Sequence, residues 1–354
     1  MIYYIKQKIK IKSMKNINKK IYAFIPIIAT AIIIIISIYK NLTKENYIRK
    51  TIIISDTILN ITAQTSEKKM NSLVDLITNE INRIDNIINP YNQKSEIAII
   101  NKKSLEGIKE IEISKELSRI FETGLKYSRL NPSFDISVRG LIELWGFGIK
   151  ENQTVPSQSE INEALKNIDY SKLSIITNED KIFLKLEKNL TFDFGAYGKG
   201  YIITKLIEIF KSENIENYLI DYGGDTYANG VNRKNEDWVI AIRNPIENTE
   251  ENSEKYLALI KSTNYAIVTS GDYERYFTEN GTNYHHIIDA KTGYPSYNSI
   301  SATIVHTNSE EADALSTIAF LMGTNFFTNE NFKYKEAYIL TPENKLFIFT
   351  NDNF

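Results

Sequence analysis

Three stretches of this 354-residue chain carry side chains that could do chemistry together. The first is Phe192-Asp193-Phe194-Gly195-Ala196-Tyr197-Gly198-Lys199-Gly200, a glycine-rich turn between a strand pattern and a helix pattern. Such a turn lets backbone N–H groups and a helix N-terminus approach phosphate oxygens, and Lys199 adds a point charge. The Gly-x4-Gly-Lys-Ser/Thr spacing of a Walker loop is absent. The same pattern also serves as a plain connector, so the residues alone leave both readings open. The second stretch is Glu311-Ala312-Asp313-Ala314-Leu315-Ser316-Thr317. Asp313 and Thr317 stand at i and i+4, which puts a carboxylate and a hydroxyl on one helix face. Two oxygen donors there suit a hard cation such as Mg²⁺, which leaves its other positions to water and substrate phosphates. An acidic first turn complementing the helix dipole, with Thr317 bonded back to its own helix, explains the same residues more simply.

The third stretch runs through Thr269-Ser270-Gly271-Asp272-Tyr273-Glu274-Arg275-Tyr276-Phe277, His285-His286-Ile287-Ile288-Asp289 and Lys291-Thr292-Gly293-Tyr294-Pro295. A histidine beside a carboxylate can act as a base at neutral pH, and Asp289 follows His286 by three residues. A histidine satisfied within a sheet is an equally ordinary outcome. Gly223-Gly224-Asp225 reads as a turn after a strand, and Trp145, within Leu141 to Gly148, reads as core.

Composition narrows the chemistry further. The chain has no cysteine, which removes thiolate nucleophiles, Fe–S clusters, thiolate zinc sites, disulfides and any lipid-bearing cysteine. With only His285, His286 and His306, a multi-histidine metal cage is nearly excluded. Net charge is −2, but residues 1–40 hold eight Lys and no acid, leaving 34 basic against 44 acidic residues in the rest. A body that acidic is a poor ligand for polyanions, so no nucleic-acid partner is expected.

Helix and strand signals set out the elements that must hold these residues. Apolar residues Leu73, Ile77, Ile81, Ile84 and Ile88 recur at steps of three and four in a helix from Ser66 to Ile88. Ser114 caps a second helix that Asn131-Pro132 stops near Leu130, and Ser157-x-x-Glu160 is a capping box for a third. Further helices are expected at about 199–212 and 310–322, the latter capped by Asn308 or Ser309 and ended by Gly323. Strands are expected at Leu173–Ile176, Ile182–Leu186, Tyr218–Asp221, Trp238–Ile242, Tyr265–Val268 and Ser301–Val305. A closing hairpin pairs Ala337–Leu340 with Lys345–Thr350. Strands and helices mix without strict alternation, so the expected class is α+β: one large sheet-and-helix catalytic domain behind one N-terminal transmembrane helix.

The uncharged run Ile21–Tyr39 has the length of a membrane span, and seven Lys precede it. By the positive-inside rule the N-terminus is cytoplasmic and everything after Lys40 lies outside. The run ends in Ser37-Ile38-Tyr39, without the small residues a signal peptidase reads, which favours a retained anchor over a cleaved signal. The expected layout is a Lys-rich cytoplasmic stretch at 1–20, a signal-anchor at 21–39, a linker at 40–54 and an extracytoplasmic domain at 55–354.

From about Ser55 to Phe320 the order and wording of these blocks resemble the ApbE-like FAD:protein FMN transferase family. The matching blocks are Tyr91 to Glu96 with Asn101, Ser133-Phe134-Asp135, Leu144-Trp145-Gly146-Phe147, Asp193 to Gly200 and Gly223-Gly224-Asp225. They continue with Thr269 to Phe277, His286 to Pro295 and Ala312 to Thr317. The resemblance implies Mg²⁺-dependent transfer of FMN from FAD onto a threonine or serine hydroxyl of an acceptor flavoprotein, with release of AMP. It implies Asp313, Thr317 and the Ala196 carbonyl as metal ligands, and Tyr91, Ser133, Phe134, Asp135, Asp193, Lys199 and Ile287 as FAD-holding positions. His286 becomes the expected base and Lys199 the expected phosphate anchor. The expected acceptor is a flavin subunit of a membrane redox complex or an extracytoplasmic reductase.

Two departures stand out. Ser55-Asp56-Thr57 occupies the place where the family often has Met-Gly-Thr, and Ala290 replaces the usual proline after His-Ile-Ile-Asp. The nearest alternative function is an Mg²⁺-dependent FAD pyrophosphatase yielding FMN and AMP. A non-catalytic, membrane-tethered flavin-binding protein is a third, which the Asp313/Thr317 pair argues against.

Overall fold

Helices begin where the sequence supplies capping hydroxyls. Ser66 accepts a hydrogen bond from the Lys69 N–H and opens Glu67–Ile88, whose Leu73, Ile77, Ile81 and Ile84 are buried. Each such side chain removed from water contributes roughly 1.5–3 kcal/mol. Ser114 opens Lys115–Leu130 in the same way, and Ser157 with Glu160 forms a complete capping box ahead of Gln158–Leu165. The computed structural model that contains these elements describes residues 46–148, 153–246 and 255–351, with Thr30, Ile32, Ile33, Ile34 and Phe354.

Among the described residues the main sheet has eight strands. In spatial order they are Asn46–Ile54, Thr57–Thr65, Tyr218–Tyr222, Asp225–Asn229, Tyr265–Gly271, Ser301–His306, Glu336–Leu340 and Leu346–Thr350. From Thr57–Thr65 to Leu346–Thr350 each neighbouring pair runs antiparallel, which agrees with the α+β expectation. Helix Ser309–Met322 packs on the strands Tyr265–Gly271 and Ser301–His306, and helix Gly198–Ser212 packs on Ser309–Met322 and on Glu67–Ile88. Ile61, Ile220, Val268, Ala302 and Ile304 from the sheet join Leu206, Phe210, Leu315 and Phe320 from the helices in the principal core. A second cluster surrounds Trp145, which is fully buried and donates its indole N–H to the Gly293 carbonyl at 2.8 Å, as its reading as core requires.

Among the described residues three smaller sheets flank this body. Glu110–Ile113, Lys181–Leu186 and Leu173–Asn178 form one, and the hairpins Trp238–Arg243/Tyr256–Ser262 and Tyr276–Glu279/Thr282–His285 form the others. Tyr47–Phe354 is one compact unit.

The domain therefore begins earlier than the sequence suggests. Residues 46–54, expected as linker, form the edge strand of the main sheet, with Ile48, Ile52 and Ile54 packed against the core and Arg49, Thr51 and Ile53 exposed. The polar residues that read as linker are the outward half of a period-two pattern. The expected membrane span Ile21–Tyr39 lies outside the described residues except for Thr30 and Ile32–Ile34, which are helical and exposed. Among the described residues no helix is long and apolar enough to cross a membrane.

Candidate active site

The loop that ends in Gly198 is held by a side chain that imitates a strand. Asn101 is buried; its Nδ2–H donates to the Phe192 carbonyl at 2.9 Å and its Oδ1 accepts the Phe192 N–H at 2.7 Å. The Asp193 N–H donates to the Ile136 carbonyl at 3.1 Å, and Asp193 Oδ1 accepts the Gly195 N–H at 2.7 Å. Burial pushes the Asp193 carboxyl up, while the Gly195 N–H, Arg139 and Arg275 pull it back down. Helix Gly198–Ser212 then starts without a side-chain cap.

Its first turn meets the start of helix Ser309–Met322. The Gly200 N–H donates to Asp313 Oδ2 at 2.7 Å, and Ser309 Oγ donates to the Gly200 carbonyl at 2.9 Å. A Cβ on Gly200 would stand 2.3 Å from the Ser309 carbonyl oxygen and 2.7 Å from Asp313 Cβ, so glycine is what permits the approach. Asn308, rather than Ser309, supplies the cap of the second helix.

Two of the three expected metal ligands meet directly. Thr317 Oγ1 donates to the Ala196 carbonyl at 3.2 Å, and Asp313 stands one helical turn before Thr317. Burial and the neighbouring Asp225 push the Asp313 carboxyl well above the usual range, against the pull of Lys199 and the Gly200 N–H. A carbonyl, a hydroxyl and a buried carboxylate short of positive charge fit a hard divalent cation, which would relieve that strain. Among the described residues no group of three or more His, Cys, Asp or Glu could hold a metal.

Lys199 Nζ lies 2.7 Å from Asp225 Oδ2, and Asp225 is 1% exposed. Burial disfavours the Lys199 charge, but Asp225 and Asp313 outweigh it and hold the amine protonated. The sequence reading of Gly223-Gly224-Asp225 as a turn is correct for the glycines, whose φ angles are +63° and +92°. It missed Asp225, the first residue of a strand and the counter-ion of Lys199.

The two histidines separate cleanly. His285 is buried; its Nε2–H donates to the Ser296 carbonyl at 2.7 Å and its Nδ1 accepts the Ile287 N–H at 3.2 Å. That ring is satisfied and structural. His286 Nδ1 stands 3.2 Å from the Arg275 carbonyl, which can only accept, so the proton sits on Nδ1 and Nε2 keeps its lone pair. Burial and the Arg275 charge bring the His286 pKa down to about 3, leaving a neutral imidazole. The expected acid partner is not Asp289, whose Oδ1 accepts the Lys291 N–H of its own turn at 2.8 Å.

Of the remaining positions expected to hold FAD, Tyr91 lies next to Asp193, its phenol raised by burial and by that carboxylate. Arg139, which the sequence reading passed over, stacks on Tyr91 with Cζ 4.9 Å from the ring centroid and pairs with Glu143 at 2.5 Å. One of its nitrogens, Nη1, is buried without a hydrogen-bond partner. Asp135 is differently employed: Oδ1 accepts from the Ser137 N–H and Oγ, and Oδ2 accepts the Tyr170 N–H at 2.9 Å. Phe134 is buried against Tyr127 and Tyr197, and the Ser133 carbonyl accepts the Ala290 N–H at 3.0 Å. Ile287 is buried beside His286. Ser55 and Asp56, where the family often has Met-Gly, form a hairpin turn with φ of +49° and +56°. Thr57 Oγ1 lies 2.6 Å from where a Cβ on Gly223 would sit, so this turn abuts the Gly223-Gly224 turn.

Comparison with known proteins is consistent with this geometry. The ApbE family model matches residues 55–331. The chain is similar to a Haemophilus influenzae protein named FAD:protein FMN transferase, 32% identical over 239 residues, 66% of this chain and 67% of the relative. A Vibrio cholerae protein of the same name is 29% identical over 261 residues, 72% of this chain and 74% of the relative. Among solved structures, the ApbE protein of Thermotoga maritima superposes with a TM-score of 0.76 at 28% identity, covering 87% of this chain and 97% of that one. The flavin transferase ApbE of Vibrio cholerae gives 0.74 at 24% identity, covering 88% and 98%, a likeness of fold.

Proposed function

This chain belongs to the ApbE family, and from that membership we propose that it is an FAD:protein FMN transferase acting on a threonine or serine hydroxyl of an acceptor flavoprotein. The observation that carries this reading is the contact of Thr317 with Ala196, one helical turn from the buried Asp313 and within electrostatic reach of Lys199, which in turn acts on the neutral His286. Asp313, Thr317 and the Ala196 carbonyl would hold Mg²⁺. When bound, that ion withdraws charge from the FAD diphosphate and stabilises the leaving phosphate.

The protein's own groups perform the rest. Lys199, kept protonated by Asp225 and Asp313, binds non-bridging phosphate oxygens. His286 Nε2 takes the proton of the acceptor hydroxyl as its oxygen attacks the phosphorus on the FMN side. The bridging P–O bond breaks, its electron pair leaves with AMP, and FMN stays on the acceptor through a phosphoester. Tyr91, Asp193 and the buried face around Ile287 orient the flavin nucleotide.

The Ile21–Tyr39 run and the Lys excess before it support a membrane anchor with the catalytic unit outside the cytoplasm. Acceptors there would be flavin subunits of membrane redox complexes or extracytoplasmic reductases. External protease on intact spheroplasts should digest the body of the chain; protection of the whole chain would overturn this topology.

Incubating the protein with FAD, Mg²⁺ and a candidate acceptor tests the reaction. The expected result is AMP in step with a covalent flavin on the acceptor that survives denaturing electrophoresis and is lost when its threonine is replaced by alanine. AMP and free FMN without an adduct, for every acceptor, would assign the site to FAD hydrolysis, with water in place of the hydroxyl.

A further inference from the structure

We propose that Ser270 is a positioning residue that turns the Thr317 hydroxyl toward the bound cation, an inference that rests on the metal reading above. It follows from counting protons along a chain of three hydroxyls.

Ser316 is fully buried and donates its one hydroxyl proton to the Asp313 carbonyl at 2.8 Å. Ser270 Oγ lies 2.8 Å from Ser316 Oγ. With the Ser316 proton committed, the proton between them must come from Ser270. Ser270 is then committed too, and toward Thr317, 3.3 Å away, it can offer only lone pairs.

Thr317 has one proton and two acceptors within reach, the Ala196 carbonyl at 3.2 Å and Ser270 Oγ at 3.3 Å. Both are long beside the usual ~2.7–2.8 Å of an O–H···O bond. The hydroxyl is therefore tightly held by neither. A cation held by both Ala196 O and Thr317 Oγ1 would repel the hydrogen that now lies between those two oxygens, so binding it would turn the Thr317 proton away from Ala196. Ser270 is the acceptor waiting for it. The helix fixes the direction of the relay at its inner end, and the strand Tyr265–Gly271 delivers its outer end. Groups behind a metal's direct ligands commonly set ligand orientation in this way.

The test uses the full chain, with Mn²⁺ as the probe ion and free Mn²⁺ read by electron paramagnetic resonance during titration. Flavin fluorescence in EDTA gives FAD affinity without metal, and Tm reports the fold. Ser270→Ala should weaken Mn²⁺ binding by about 10- to 100-fold, with Tm and metal-free FAD affinity unchanged. Ser270→Thr, which restores a hydroxyl, should recover most of the loss. Unchanged Mn²⁺ affinity in Ser270→Ala would overturn the inference while leaving the cation site standing. Losses in Tm and metal-free FAD affinity that parallel the loss of Mn²⁺ would overturn it too, by making Ser270 structural. Failure of the unsubstituted protein to bind Mn²⁺ would overturn the cation site and, with it, the role of Ser270.

Discussion

Gly200 and Asp313 are joined by a 2.7 Å hydrogen bond from the glycine's backbone N–H to the aspartate's Oδ2, across 113 positions of sequence. The bond locks the start of one helix to the start of another. Gly200→Ala would drive a methyl group against the Ser309 carbonyl, which is backbone and cannot swing aside. Overpacking of this kind costs about 1–3 kcal/mol, and the rigid neighbour puts the expectation at the upper end. Urea unfolding should show the loss, and transferase activity should fall with it.

Lys199→Gln removes the counter-ion of a carboxylate that is 1% exposed. Asp225 is already raised by burial, with Lys199 the main force opposing that rise. Without Lys199 its native pKa climbs further above the unfolded value. A raised carboxyl favours the folded state only while protonated, so the penalty should grow as pH rises and fade in acid. The stabilities of the variant and the parent should draw together in acid and separate as pH rises through the raised Asp225 pKa; a pH-independent difference would contradict the pairing.

His286 is held near a pKa of about 3, so it is already the free base throughout the neutral range. The acid limb of kcat/KM for the parent enzyme should therefore lie below pH 5, not near the 6.5 of an ordinary histidine. Arg275→Gln removes the second-largest influence on that value and should move the limb upward in pH. His286→Ala should lower kcat far more than it raises the KM for FAD, since a base acts in the transition state.

Asp272 is raised by burial to about 6. Ionisation therefore costs the fold stability that grows as pH rises through the unfolded value, is complete above pH 6, and fades below about pH 3, where both states are protonated. Asp272→Asn cannot ionise. The variant should have a higher Tm than the parent at pH 8 and an equal one at about pH 3. A pH-independent difference would refute the assignment.

Local signals were legible wherever one residue type had one physical job. Ser66, Ser114 and Ser157 cap the helices expected of them, and Gly323 ends the last. The strands Tyr218–Tyr222, Tyr265–Gly271 and Ser301–His306 were visible as β-branched and aromatic runs. Helix Glu96–Leu105 was hidden because Ile97, Ile99 and Ile100 crowd together instead of following a helical stripe, and Ile99 is exposed. At the site, Asp313 and Thr317 could be paired because helical spacing is local. Nothing local announced that Ala196, Ser270 and Asp225 would join them, since each arrives from a separate element. The choice of His286 over His285 rested on resemblance; the physical distinction, a ring satisfied at both nitrogens against one with a free lone pair, exists only after folding.

The eight-stranded sheet also governs when the site can exist. Its central strands bring together segments that leave the ribosome far apart in time: Ala196 waits 121 positions for Thr317, and Phe192 was already tied to Asn101, 91 positions before it. High contact order of this kind slows folding, because loop closure must precede the contacts that reward it. Until the residues through Met322 are synthesised and folded back, Gly200 has no carboxylate to bond and Ala196 no hydroxyl. A chain stalled short of that helix can already pair Lys199 with Asp225 but lacks Asp313 and Thr317, so the proposed cation site is the last part of the arrangement to form.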